Sequence, residues 1–130
     1  MTVSRKTPRR FTGKTLEMLR TEKMLGVRAG AQPHKFIGIW MVVVEGRVFV
    51  RSWGLKPRSW WRTFAQERRG AISIGGREIP VRAVQTRSER LKDAVSRAYA
   101  EKYNTPASLK WVRDMSRTKS RDTTTELLPL

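Results

Sequence analysis

Between Arg51 and Arg62 the sequence reads RSWGLKPRSWWR, and its residue types suit the binding of an anion beside a flat ring. Arg51, Ser52, Lys56, Arg58, Ser59 and Arg62 fall where an extended segment gives way to a helix start, and backbone N–H groups and the helix dipole favour negative charge at such a junction. Trp53, Trp60 and Trp61 are interleaved with them. A phosphate grip next to indole rings points to a ligand with a phosphate and an aromatic ring system, such as a flavin or a nucleotide. The competing explanation is plain: Trp61 and Phe64 serve as core contacts while the arginines coat a solvated face.

Other chemistries have less support. His34 is the only histidine and lies in a Pro-containing turn, where a solvated imidazole is the ordinary outcome. With no cysteine and one histidine, disulfides, thiolate nucleophiles and histidine-rich metal centres are excluded. Glu45, Glu67 and Glu78 show no spacing that pairs two carboxylates, and Ser52 has no evident base to activate it, so hydrolase chemistry is unsupported. Tyr99 and Tyr103 stand one helical turn apart, but Tyr99 belongs to an apolar stripe and core packing explains both. GVRAG has too few glycines for a dinucleotide or phosphate-loop fingerprint.

Lys and Arg outnumber Asp and Glu by 28 to 11 in 130 residues, a net charge of +17. That excess exceeds what solubility requires and points to an anionic partner; it suits nucleic acid, a phosphorylated cofactor or a cytoplasm of unusual composition equally. No apolar run reaches the ~20 residues of a membrane span, and MTVSRKTPRR lacks a secretory core, so a soluble cytoplasmic protein is expected.

The elements that must position the candidate residues are legible as follows. Residues 1–10 carry too little apolar surface to order and are expected to form a flexible basic arm, leaving 11–130 as one domain. Thr12 or Thr15 caps a helix to about Met24, with Leu16, Leu19 and Met24 inward. A short strand lies between Gly26 and Gly30. Phe36 to Val44 reads as one strand buried on both faces, and Glu45-Gly46 as a hairpin turn. The register then pairs Val44 with Arg47, Val42 with Phe49, Trp40 with Arg51 and Gly38 with Trp53. Ile39, Met41, Val43, Val48 and Val50 form an apolar face, while Trp40, Phe49, Arg51 and Trp53 share the other, which continues the candidate site.

After Pro57 comes a short helix capped by Ser59, then strands Ala71 to Ile74 and Arg77 to Val84 joined by Gly75-Gly76. Thr86-Arg87-Ser88-Glu89 reads as a capping box for a helix to about Tyr103. Thr105-Pro106 starts another helix, with Leu109, Val112 and Met115 on one side. Ser116 to Arg121 is expected as a loop and TTTELLPL as a last strand. The sum is an α+β chain, mainly β: a small antiparallel split β-barrel with flanking helices, a β-sandwich being the nearest competitor.

IGIWMVVVEGRVFVRSW, KPRSWWRTF and GAISIGGREIPVRAV, in that order, resemble the FMN-binding split-barrel superfamily, closest to a small uncharacterised domain family within it. Pyridoxamine-phosphate-oxidase-like proteins and deazaflavin-dependent nitroreductases belong to that superfamily, and the likeness spans residues 25–128. It implies a homodimer that binds FMN or a deazaflavin between subunits and acts as a small-substrate oxidoreductase. By the same resemblance Arg51 and Ser52 hold the cofactor phosphate together with Lys56 or Arg58. Trp40 then stands near the ring, and Trp60 and Trp61 line the pocket or an interface. Two other readings remain: a basic barrel that binds RNA or DNA through phosphate contacts and tryptophan stacking, and a split barrel that has lost its cofactor.

Overall fold

The computed structural model describes residues 10–30, 35–52 and 60–130. The expected arm falls almost entirely outside them, as do His34, Trp53, Lys56, Arg58 and the Ser59 cap. Along the chain run α1 (Gly13–Thr21), β1 (Leu25–Ala29), β2 (Ile37–Ile39), β3 (Met41–Val44), β4 (Arg47–Val50) and α2 (Trp60–Gln66). Then follow β5 (Arg69–Ile74), β6 (Arg77–Gln85), α3 (Glu89–Lys102), α4 (Pro106–Met115), α5 (Thr118–Arg121) and β7 (Thr125–Pro129).

All seven strands form one antiparallel sheet in the order β2-β1-β5-β6-β7-β4-β3. Its two edge strands are consecutive in sequence, with only Trp40 between them, so the sheet curls until its edges meet in a nearly closed barrel. A sandwich is thereby ruled out. Both tight hairpins use paired left-handed residues, Glu45-Gly46 (φ 55° and 71°) and Gly75-Gly76 (φ 57° and 76°), the geometry that matches strand twist.

Inward residues alternate along the strands. Leu25, Val27, Met41, Val48, Val50, Ile72, Val81 and Leu127 form the interior, joined by Leu19 of α1 and by Trp60 and Phe64 of α2. A second core lies on the opposite face of β3 and β4, where Val42 and Phe49 pack beneath Leu91, Val95, Tyr99, Val112 and Met115 of α3 and α4.

Several expectations need correction. The apolar run from Phe36 to Val44 is not one strand: it breaks at Trp40, because closing the barrel requires the chain to leave one edge and join the other. Gly38 therefore pairs with Gly26 of β1, while the β3–β4 ladder begins at Met41 opposite Val50 and does not pair Trp40 with Arg51. Val42 with Phe49 and Val44 with Arg47 pair as expected. Met24 lies beyond the end of α1 and is 47% exposed. The cap of α3 is Ser88, whose Oγ accepts from Leu91 N–H, and not Thr86. Residues 118–121 form a helical turn where a loop was expected. Thr12 and Thr105 cap α1 and α4 as read.

The last turn of α3 fastens the barrel corner. Tyr99 donates to Trp40 O (3.2 Å), and Tyr103 Oη accepts from Met41 N–H (3.1 Å). Lys102 Nζ donates to the carbonyls of Leu19 (2.8 Å) and Met41 (3.0 Å). Burial lowers the Lys102 ammonium from 10.5 to about 8. In the interval between those values the unfolded chain holds a proton that the folded chain has released, so stability rises with pH there. Lys102 is only partly buried, and solvent screening keeps the gain modest. Urea melts at about pH 7.5 and about pH 9 should show the wild type gaining on Lys102→Met at the higher pH, a full unit below the ordinary tyrosine pKa of about 10. A constant difference would contradict this assignment.

Candidate functional site

Strand β4 delivers its last residues alternately to the two faces, so Val50 enters the barrel and Arg51 points to the helix-covered side. That side is closed. Arg51 is 2% exposed, its Nε donating to Thr124 Oγ1 (2.9 Å), Nη1 to Ser96 Oγ and Met115 O (both 2.9 Å), and Nη2 to Lys92 O (2.8 Å). Four of its five donors are thus taken by α3, the end of α4 and the approach to β7. Its guanidinium lies 5.8 Å from the Tyr99 ring centroid. Burial lowers its pKa to about 10, which leaves it cationic at neutral pH.

Ser52 follows in the same buried channel. Its N–H donates to Thr123 Oγ1 (2.8 Å), and its carbonyl accepts from Ser120 Oγ (2.8 Å). The strand end is therefore clamped on both sides before the chain enters residues 53–59. In sequence, the threonine run at 123–125 signals only extended structure; in space, two of its hydroxyls hold Arg51 and Ser52. A repeated buried hydroxyl near the chain end is the clue that propensity reasoning passes over.

The tryptophans are distributed differently from one another. Trp40 stacks face to face on Tyr103 (centroids 4.1 Å apart, planes 3° apart), so one indole face is occupied by the corner it sits in. Trp60 is a barrel-core residue in edge contact with Phe64 (6.1 Å, 80°). Trp61 is partly buried, with Arg62 over its ring at 5.8 Å. Its Nε1 is the one buried side-chain polar atom without a hydrogen-bond partner among the described residues. A buried N–H in that state costs about 1–3 kcal/mol unless something outside the chain accepts from it.

Ser52 and Trp61 thus flank residues 53–59, which carry Lys56 and Arg58, while Arg51, Trp40 and Trp60 are engaged in internal packing. Positioning of α2 depends on Phe64, which seats against Gly70 of β5; a Cβ at Gly70 would come within 2.7 Å of the Phe64 ring. Among the described residues no helix is long and apolar enough to cross a membrane.

The sequence pattern of a bacterial family described as "Uncharacterized protein conserved in bacteria (DUF2255)" matches residues 16–127. A conserved hypothetical protein of Mycobacterium tuberculosis, Rv2991, has a crystal structure that superimposes with a TM-score of 0.57 at 14% identity, covering 99% of this chain and 85% of that one. At that identity the likeness concerns the fold. No functionally curated protein matches the chain.

Proposed function

The chain belongs to this DUF2255 family of uncharacterised bacterial proteins, and from its barrel and the Ser52–Trp61 junction we propose that it binds a flavin-type cofactor, FMN or a deazaflavin, as a homodimeric small-substrate oxidoreductase. The observation that carries the reading is the orphaned Trp61 Nε1, a buried donor on a residue that closely follows Lys56 and Arg58 in sequence. An isoalloxazine-type ring offers carbonyl and nitrogen acceptors to such a donor, and the cofactor's phosphate suits the cationic side chains of Lys56 and Arg58. Exposed Met24 and Ile37, at the β2 edge, support a subunit contact.

In this reading Lys56 and Arg58 hold the phosphate, Ser52 fixes where that segment leaves the barrel, and Trp61 orients the ring. Arg51 acts one step behind, bracing the strand end without touching the ligand. The cofactor, once bound, supplies hydride transfer, so the chain is required to bind, orient and exclude water and needs no catalytic triad.

The test is an absorption spectrum of the purified protein, followed by titration with FMN and with a deazaflavin. Shifted flavin bands and saturable binding are expected. Trp61→Phe should weaken binding about 5-fold, the effect of one hydrogen bond. Lys56→Ala with Arg58→Ala should weaken it at least 100-fold, from about 1.5–3 kcal/mol per charge-assisted bond. A colourless protein whose addition leaves both cofactor spectra unchanged would remove the proposal.

A further inference from the structure

The outer face of β5 and β6 presents a second site, unrelated to the junction above. Arg69 and Arg82 stand directly opposite each other in the β5–β6 ladder. Ala83 N–H bonds to Arg68 O (2.7 Å), which makes Arg69 and Arg82 a non-hydrogen-bonded pair, the closer of the two antiparallel geometries at ~4.5 Å between Cα atoms. Their inward neighbours Gly70 and Val81 pair beside them, so both arginines lie on the outside. Like charges so placed repel and destabilise the sheet. Among the described residues no carboxylate is within ion-pairing distance of Arg68, Arg69 or Arg82, although neighbouring Arg28 reaches Glu78 at 3.7 Å.

A cleft of about 430 Å³ opens over this pair, lined by Gln66, Glu67, Arg68, Arg69, Arg82 and Leu130. Glu67, its one acidic side chain, accepts from Arg69 backbone N–H (3.3 Å). Arg69 also lines an adjoining hollow of about 310 Å³ that extends to Arg28, its ion-pair partner Glu78, and Pro80, so the track crosses three strands, β6, β5 and β1, with its unpaired arginines at the β5–β6 end. Helices α1 and α3 pack on β3, away from this face, while α2 packs on β1 and its last residue, Gln66, forms part of the cleft wall.

We propose that this Arg28–Arg69–Arg82–Arg68 track binds the phosphodiester backbone of single-stranded nucleic acid without regard to sequence. A facing arginine pair lacking a counter-charge is stabilised by a phosphate between its two forks. Among the described residues no aromatic side chain lines either hollow, and the Phe36 ring beside the track is covered by the Arg28 guanidinium at 4.5 Å, so the groups offered to a strand are phosphate-binding ones and carry no sequence readout. Elongation across three strands, together with a net charge of +17, favours a polyanion over a mononucleotide.

Binding of a labelled oligothymidylate of about twelve nucleotides, followed by anisotropy across a salt series, tests this. Arg69→Gln with Arg82→Gln should flatten the log K against log salt slope by about 1.4, and weaken binding about 20-fold at 0.1 M salt, from two lost phosphate contacts. Arg97→Gln with Arg113→Gln, which removes the same charge from exposed helical positions, should leave the slope unchanged. Without ligand, the first double variant should melt about 1–3 °C higher through relief of repulsion, and its flavin uptake should match wild type. Equal loss in both double variants would mean diffuse attraction and overturn the site. So would absence of oligonucleotide binding by the wild type, binding of tripolyphosphate alone, or a lower melting temperature in the first variant.

Discussion

Arg51→Ala is expected to lose about 4 kcal/mol of folding stability or more, read by urea or thermal unfolding of the ligand-free protein. Truncation removes the donor that four acceptors share, Thr124 Oγ1, Ser96 Oγ, Met115 O and Lys92 O, and leaves a void where the guanidinium filled the space between α3, α4 and β7. Two of these acceptors are main-chain carbonyls that cannot turn to find another donor. Against a typical total of about 5–15 kcal/mol, this loss is severe. Arg51→Met restores much of the volume but none of the donors, so it should recover only the cavity part of the cost. A phosphate-holding arginine would behave in the opposite way: its removal would leave ligand-free stability within about 0.5 kcal/mol and act on cofactor affinity alone. The experiment therefore separates bracing from binding at one position.

Gly70→Ala should cost about 3 kcal/mol or more, for a reason that is steric and local. A Cβ there would collide with the carbonyl oxygen of Arg28 on the neighbouring strand and with Phe64 Cε1 and Cζ, at 2.7 and 2.9 Å. The carbonyl belongs to a ladder that cannot shift without unpairing β1 from β5, and Phe64 can yield only by lifting α2. Because α2 also carries Trp61, the displacement should propagate to the junction. Flavin affinity is then expected to fall together with the melting temperature, and the near-ultraviolet circular dichroism of Trp60 and Trp61 to lose intensity. A Gly70→Ala protein within about 1 kcal/mol of wild type would show that α2 does not depend on this contact.

Local signals in the sequence were dependable where a few neighbouring residues decide the outcome. The hairpin turns at Glu45-Gly46 and Gly75-Gly76, the caps at Thr12 and Thr105, and the alternation that sends Met41, Val48 and Val50 inward all follow from steric and hydrogen-bonding rules within one or two turns of chain. Errors came where distant segments competed. The Phe36–Val44 run has the composition of a continuous strand, and it breaks at Trp40 because the barrel must close there. The capping box read from Thr86 to Glu89 also misplaced the helix start, since α3 begins at Glu89 with Ser88 as its cap.

The candidate site divides along the same line. Composition and spacing between Ser52 and Arg62 pointed to an anion and a ring, and the type of each side chain determined that chemistry. Which of those side chains face outward is a tertiary decision. Period-two alternation put Arg51 on the face opposite the barrel interior, but alternation cannot say whether a helix covers that face; α3 and α4 do, and a side chain read as a ligand contact became an internal clamp. The cross-strand meeting of Arg69 and Arg82, thirteen positions apart, was likewise invisible without strand register. Sequence by itself determined the strong positive charge, the turn positions, the alternation of inward residues along the first hairpin and the mainly β character of the chain, since those depend on residue type and near neighbours. Only the tertiary structure decided which charges are buried, which are paired and which remain open to a ligand, because solvation and partners are set by segments that the chain brings together across long separations.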